Sequence, residues 1–352
     1  MRTIVLAVLL LLVAAHPQPS FADAPQNPWE LLAPYFPNEN AWKNRRVWKE
    51  LPSTADDEIA FSRPLALGRA FIGIAEGNAA YIYNPAGIAQ VQKYTIDGHF
   101  EFDPLWNQKV LSASVMDSIS SPLAAELGYS FSWWDQEDRV KQNYDLQGMD
   151  LSDLAGNTYR HTARMTLGGK VSDYFMVGTT LKYAHVTRES RKTIDTATLD
   201  IGLLINTGVG LKLGIVGYNL LPIRPYDRWP IKLGVGLSFS LPEEFYIDYD
   251  QIVVFDVKEY RERPVISKKG GVVFTQPRGT SLAYRVGLEY IISQVVPLRV
   301  GYEHDDFSEN HFFNFGIAYR EKTFSINLSY SQGLVKSKTA DRMLSFGFDF
   351  QI

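Results

Sequence analysis

The segment KYTIDGHFEF, residues 93 to 102, changes character at every second position. Its even positions carry apolar side chains, from Tyr94 to Phe102, and its odd positions carry polar ones such as Glu101. Successive side chains of a β-strand point to opposite faces, so this alternation predicts a strand with one apolar and one polar face. Such a strand separates an apolar environment from a wet one.

The same alternation continues to the end of the chain, in about fourteen segments. Most are long enough for a tilted strand that crosses a bilayer. The gaps between them alternate between long and short, which is typical of outer-membrane barrels. We therefore predict an all-β fold, a transmembrane antiparallel β-barrel of about 14 strands over residues 92 to 352. The segments lie near 92–102, 109–117, 123–134, 158–168, 174–186, 193–206, 209–218, 230–240, 245–255, 280–291, 296–304, 311–320, 323–331 and 341–351.

Charged residues of both signs recur on the polar face of these strands. In a dry core each charge would have to be paired or neutralised, whereas a wet lumen tolerates them. The basic members either pair with the acidic ones or bind a carboxylate headgroup of a ligand, and the sequence leaves both interpretations open. The predicted lumen charges are Glu101, Glu126, Arg160, Arg164, Lys182, Asp200, Arg285, Glu289 and Arg299.

The region before the barrel has a different composition. Residues 1–22 combine Arg2 with a short apolar run and small residues near position 22, which predicts a cleaved signal peptide and export. Residues 23–63 are rich in proline and contain Trp29, Trp42 and Trp48. We expect a periplasmic extension there, either loosely packed or docking a periplasmic protein through residues 23–60. Long loops at 135–157 and 219–230 are candidate outer gates.

Composition argues against several other functions. The 352 residues carry a formal net charge of −4, so a general nucleic-acid binder is not expected. Cysteine is absent, so the exported fold has no disulfides. We find no metal-binding motif and no nucleophile elbow, and we expect no cofactor and no catalytic residue. A catalytic site at the barrel rim that uses His99 or His161 is a third alternative.

Two short motifs precede the first strand, within a predicted segment 64–91. The first is Gly68-Arg69-Ala70-Phe71, and the second is Asn84-Pro85-Ala86-Gly87. The second motif suits either a type I turn or a helix start with Asn84 as N-cap and proline at the first helical position.

Together with the small residues between them, these motifs resemble the FadL-like family of outer-membrane proteins. The resemblance covers about residues 64 to 95 in detail. It implies an outer-membrane protein whose segment 64–91 is a hatch inside the barrel. It also implies passive uptake of hydrophobic small molecules such as fatty acids or hydrocarbons, with outer-membrane lipid around the wall. The alternative within the same resemblance is a PorV-like barrel that acts as a scaffold or shuttle for protein secretion.

Overall fold

The computed structural model shows a closed antiparallel barrel of 14 strands. It describes residues 59–104, 108–135, 157–188, 191–221, 231–241, 245–255, 263–266, 272–275, 280–305, 310–334 and 342–352. Consecutive strands pair around the wall, and the first strand, Tyr94–Asp103, closes the barrel against the last, Arg342–Gln351. The predicted fold class and strand number are confirmed.

Two further strands form a small separate hairpin between the ninth and tenth strands of the wall. Within the described residues, no helix has the length and apolar character that crossing a membrane requires. In chain order the strands are β1 Tyr94–Asp103, β2 Gln108–Asp117, β3 Leu123–Asp135, β4 Asn157–Ser172, β5 Phe175–Arg188, β6 Arg191–Asn206, β7 Leu211–Tyr218, β8 Ile231–Leu241, β9 Phe245–Phe255, β10 Arg263–Ile266, β11 Val272–Thr275, β12 Thr280–Ile292, β13 Val296–Asp305, β14 Asn310–Arg320, β15 Phe324–Gly333 and β16 Arg342–Gln351.

The two faces of the wall differ as the alternation predicts. On β1, Ile96 and Phe100 point outward and are 38% and 41% exposed, whereas Asp97, His99 and Glu101 point inward and are buried. Exposed leucine, phenylalanine, tyrosine and valine side chains continue this apolar outer surface along the other strands. An apolar exterior of this extent is suited to contact with lipid.

The connections make the two ends of the barrel different. Short turns at 118–122, 173–174, 207–210, 293–295 and 321–323 lie at one end, which we call the turn end. The longer connections, such as 136–156 and 256–279, lie at the other, which we call the loop end. The first strand begins and the last strand finishes at the turn end.

Residues 59–91 lie inside the barrel, and we call this segment the hatch. It contains two short helices, α1 Ser62–Ala66 and α2 Ala80–Tyr83, followed by a 3-10 helix, Pro85–Ala89. Most of its side chains are fully buried, including Leu65 and Tyr81. The sequence had placed the start of this segment at residue 64, but the described chain is already inside the barrel at Ile59.

Candidate functional site

Arg63 connects the hatch to the wall near the turn end. Its guanidinium donates to Glu289 on β12 at 2.8 Å and to Glu76 of the hatch at 2.7 Å. Glu289 also forms a salt bridge with Arg299 on β13. A carboxylate shared by two arginines satisfies several buried donors at once, which is the arrangement that makes buried charges tolerable.

A second ionic contact lies nearer the loop end. Arg69 donates to Glu303 on β13 at 2.8 Å, and Arg285 on β12 donates to the same carboxylate at 2.9 Å. Gly68 and Arg69 both have positive φ, 63° and 59°. The chain therefore makes a tight left-handed turn here, and glycine removes the steric cost at the first of the two positions. The turn directs the Arg69 side chain toward the wall.

Two wall carboxylates accept hydrogen bonds from the backbone of the hatch. Asp250 on β9 accepts from the N–H groups of Phe71 and Ile72, at 2.5 and 2.7 Å. Glu101 on β1 accepts from the N–H groups of Ala60 and Phe61, at 3.0 and 2.8 Å. Backbone donors without partners are costly inside a protein, so these carboxylates fix the path of an irregular segment.

Asn84 starts the 3-10 helix, so the helix-start interpretation of the second motif is confirmed. Its side-chain oxygen accepts from the N–H of Ala86, and Pro85 occupies the first helical position. Its amide nitrogen donates to the carbonyl oxygens of Ile72 at 3.2 Å and Leu203 of β6 at 3.0 Å. One buried side chain thus joins the two parts of the hatch to each other and to the wall.

Glycines in the wall let the hatch backbone approach closely. A Cβ atom at Gly178 of β5 would lie 2.3 Å from the carbonyl carbon and oxygen of Pro85, and one at Gly214 of β7 would lie 2.1 Å from the carbonyl oxygen of Ile72. Gly87 has the same role within the hatch, since a Cβ there would lie 1.6 Å from the carbonyl oxygen of Ala75. A larger residue at any of these positions would displace the backbone it contacts.

All eight residues of the two motifs lie in the hatch. Ala70, Phe71, Asn84 and Ala86 are almost completely buried. Phe71 packs edge-on against the ring of Tyr83 at 5.5 Å and lies 5.5 Å from the Arg63 guanidinium. The motifs therefore supply packing and hydrogen bonds between hatch and wall, and a role for them along a ligand path stays a proposal.

The nine predicted lumen charges all point into the barrel, but only some pair as expected. Lys182 on β5 forms a salt bridge with Asp200 on β6 at 2.9 Å, and Glu289 pairs with Arg299. For Glu101 and Glu126 the structure describes other hydrogen-bond partners. Glu101 accepts backbone N–H groups instead, and Glu126 hydrogen-bonds to the hydroxyl of Ser114 at 2.8 Å.

Arg160 and Arg164 lie on β4 and face the interior of the barrel. They are 1% and 3% exposed. Arg164 donates to Ser130 at 3.2 Å and lies 5.7 Å from the centre of the Tyr81 ring. Lys182, the partner of Arg164 in the β4–β5 register, also points inward. This part of the wall thus carries three basic side chains, of which Lys182 is paired with Asp200.

The two histidines of the alternative rim site contact neighbouring side chains. His99 lies 3.3 Å from Asp97, and its ring packs against Phe61 at 4.2 Å. His161, on the outer face, hydrogen-bonds to Tyr129 at 2.6 Å. No cluster of three or more histidine, cysteine, aspartate or glutamate residues suited to a metal ion occurs among the residues that the structure describes.

Several contact residues were absent from the predicted site. Contacts between hatch and wall are also made by Arg63, Asp250 and Glu303. Asp250 and Glu303 occupy inward positions of their strands, so the alternation could have identified them. Arg63 was assigned to the extension, and nothing in its local sequence indicates a partner more than 200 positions away. The Trp-rich extension up to residue 58, the signal peptide and most of the two predicted outer gates lie outside the described residues.

No protein-family model matches the sequence, and no curated protein matches it. Solved structures do resemble the fold. The toluene transporter TbuX of Ralstonia pickettii has a TM-score of 0.61, with 12% identity over 83% of this chain and 98% of that chain. The monoaromatic hydrocarbon channel CymD has a TM-score of 0.56, with 11% identity over 82% of this chain and 97% of that chain.

A FadL homologue of Pseudomonas aeruginosa has a TM-score of 0.51, with 13% identity over 88% of this chain and 98% of that chain. Each comparison spans nearly the whole of the other protein, so the similarity concerns the complete architecture. At these identities the similarity shows the fold. The chain thus shares its fold with FadL-type hydrocarbon transporters, as the resemblance in residues 64 to 95 predicted.

Proposed function

We propose that this protein is a channel for the passive uptake of hydrophobic small molecules, of the fatty acid or hydrocarbon type. The observation that carries the proposal is a closed barrel that contains a hatch, whose first part is bound to the wall by ionic and hydrogen-bonded contacts. A hatch held in this way blocks free diffusion of water-soluble molecules. These polar contacts can exchange with water when the hatch moves.

The architecture shared with the toluene transporter and the hydrocarbon channel supports this choice of ligand class. Uptake of an apolar ligand into a bilayer is driven by partitioning, at about 0.8 kcal/mol per buried methylene. Such a process requires neither a nucleotide nor a metal ion. The protein is then a channel and not an enzyme, and its ligand is a hydrophobic molecule that enters from the loop end.

The location that fits this function is the outer membrane. The apolar outer surface of the wall faces lipid, and the turn end faces the periplasm, as in barrels with short periplasmic turns. Export requires a signal at the N-terminus, and we propose that residues 1–22 supply it and are removed. The short apolar run there suits cleavage better than anchoring.

Uptake by cells tests the proposal directly. Cells that make the protein and cells that do not are given radiolabelled toluene or a long-chain fatty acid, and initial uptake rates are measured. We expect at least a several-fold faster rate for one ligand class. A hydrophilic sugar of similar size serves as the control, because a leaky barrel would admit the sugar as well.

The same preparation distinguishes a transporter from a secretion scaffold. Native mass spectrometry of gently extracted protein reports whether a small hydrophobic molecule or another protein co-purifies. A bound small ligand together with selective uptake supports a channel. A stoichiometric protein subunit with no uptake of either ligand contradicts the proposal.

A further inference from the structure

A row of polar side chains crosses the outer face of β4 to β6, toward the loop end. His161 of β4 aligns with His185 of β5, which aligns with Asp195 of β6. The adjacent row toward the turn end contains Ala163 and Tyr183, and the rows beyond it carry exposed leucine, isoleucine and methionine side chains. Tyrosine prefers the level at which lipid meets water. The histidine row therefore lies where the wall leaves the lipid, and the His185 side chain is 40% exposed.

The two histidines of this row are direct neighbours. Opposed side chains on antiparallel strands start about 4.5–5.5 Å apart at Cβ. The ring centres of His161 and His185 are 6.2 Å apart, with an angle of 49° between the ring planes. One metal ion with bonds of about 2.0–2.1 Å to two imidazole nitrogens places the ring centres about 5–6.5 Å apart. The observed separation is within that range, so the rings need little movement to share an ion.

A side-chain partner holds each ring by its Nδ1 atom. His161 Nδ1 hydrogen-bonds to the hydroxyl of Tyr129 on β3 at 2.6 Å, and His185 Nδ1 to the carboxylate of Asp195 on β6 at 2.8 Å. The two partners thus lie on opposite sides of the histidine pair. The two nitrogens of an imidazole point in widely different directions from the ring. Both Nε2 atoms are therefore turned away from these partners, toward the space between β4 and β5.

These contacts are of the kind that orient metal-binding histidines. Such a residue usually donates its second ring N–H to a carboxylate or another acceptor, which fixes the tautomer and leaves the other nitrogen to bind the ion. Ionised Asp195 only accepts, so a neutral His185 donates from Nδ1 and has an unprotonated Nε2. The Thr187 hydroxyl lies 3.2 Å from this Nε2, at a position that an ion or its water can take. Phe131 packs on the His161 ring at 4.8 Å and restricts its rotation.

A second histidine pair on the outer face has a different geometry. His304 of β13 aligns with His311 of β14, and their ring centres are 4.3 Å apart with 17° between the ring planes. Imidazole lone pairs lie in the plane of the ring, so nearly parallel stacked rings direct them side by side and not toward one point. This pair is therefore a matched control on the same face of the barrel.

We propose that His161 and His185 chelate one divalent transition-metal ion, such as Cu²⁺ or Zn²⁺, through their Nε2 atoms. Two imidazoles on adjacent strands make the chelate, and water fills the remaining coordination positions. Imidazole suits these ions, and among them Cu²⁺ should bind most tightly. The site lies on the outer surface of the wall, so it does not depend on the proposed uptake.

Metal titration of the protein in detergent, prepared without a polyhistidine tag, tests the site. Zn²⁺ or Cu²⁺ alone is added, and the bound ion is measured after equilibrium dialysis. We expect His161→Asn and His185→Asn each to weaken the binding of one ion at least tenfold, because each variant leaves a single imidazole in place of the chelate. His304→Asn should bind that ion as the wild type does.

The electron paramagnetic resonance spectrum of bound Cu²⁺ counts its nitrogen ligands. We expect splitting from two imidazole nitrogens in the wild type and from one in either variant of the pair. A difference in gel mobility between unheated and heated samples reports whether each variant is folded, and glutamine replaces asparagine where a variant fails to fold. Unchanged binding in His161→Asn or His185→Asn, an equal loss in His304→Asn, or a wild-type spectrum without two nitrogen ligands would indicate an adventitious ion only and overturn the inference.

Discussion

The two halves of the hatch differ in the charge of the groups that bind them to the wall. The leading half, residues 59–76, contains Arg63, Arg69 and Glu76, and it binds wall carboxylates on β1, β9, β12 and β13. The trailing half, residues 77–90, contains no charged residue. Neutral groups make its hydrogen bonds to the wall. Both halves pack closely against wall glycines, such as Gly301 for the leading half and Gly178 for the trailing half.

This difference indicates which half can move. The ionic and charge-assisted contacts of the leading half can be replaced by water or by other charges. Close packing has no such substitute, and both halves are closely packed, including buried side chains such as Phe61 and Phe71 in the leading half. We therefore expect the leading half, whose ionic contacts can be replaced, to be the part that moves when a ligand passes.

Removal of the shared carboxylate should have the largest effect. Glu289→Gln leaves Arg63 and Arg299 buried without their common counter-charge, and breaking a buried ionic contact typically costs about 3–5 kcal/mol. We expect the free energy of unfolding in urea to fall by that order and proteolysis of the leading half to increase. Glu321→Gln, in an exposed turn, is the control and should change neither quantity. Equal stability of the two variants would contradict an ionic attachment.

A larger side chain at the wall glycine Gly178 should destabilise the trailing half of the hatch. Gly178→Val drives side-chain atoms into the backbone at Pro85, and overpacking of this kind costs about 1–3 kcal/mol. Proteolysis should then increase within residues 77–90 and not within residues 59–76, as read by mass spectrometry of the fragments. Leu181→Val, three positions along on the outer face, is the control. Cleavage of the leading half first would show that the two halves are not independent.

Loss of the Asn84 side chain should have a smaller effect. Asn84→Ala removes the cap of the 3-10 helix and two donors to carbonyl groups, at about 1–2 kcal/mol. Asn84→Ser keeps an oxygen for the cap and loses the donors, so its stability should lie between those of wild type and Asn84→Ala. Identical unfolding midpoints for the two variants would mean that the cap contributes nothing measurable.

Removal of the Glu76 charge should have the smallest effect, because this side chain is partly exposed at the turn end. Burial alone would raise its pKa, but Arg63 and Lys212 outweigh burial and lower the pKa from 4.5 to about 2. A lowered pKa in the folded state means that the stabilisation is complete above pH 4.5 and is lost as the pH falls to about 2. Because solvent screens the pair, Glu76→Gln should cost at most about 1 kcal/mol.

Urea unfolding of the wild type and Glu76→Gln between pH 8 and pH 3 checks this expectation. The difference between the two proteins should be constant down to pH 4.5 and should shrink below it. A difference that disappears already at neutral pH would contradict a contact with Arg63.

Sequence alternation was sufficient to predict the strands of the barrel wall. The inward and outward positions of a strand face different environments, and every segment repeats that difference. The alternation also identified the inward charges, and local turn chemistry left Asn84 as either the first residue of a type I turn or a helix start. Partners were harder to predict. Arg63 and Glu289 are separated by 226 positions, and Glu101 binds backbone groups that have no sequence signature. Such contacts depend on how an irregular segment crosses the barrel, which periodicity does not report.

A reversible disulfide between the hatch and the wall tests most directly whether the leading half moves during uptake. The hydroxyl oxygens of Ser62 and Ser345 are 2.8 Å apart, so Ser62→Cys with Ser345→Cys places two thiols where a disulfide joins hatch and wall. Hydrocarbon or fatty acid uptake is measured with the oxidised and the reduced protein, and the two single variants serve as controls. We predict at least a tenfold loss of uptake on oxidation and full recovery on reduction. Unchanged uptake with the disulfide completely formed would contradict the account.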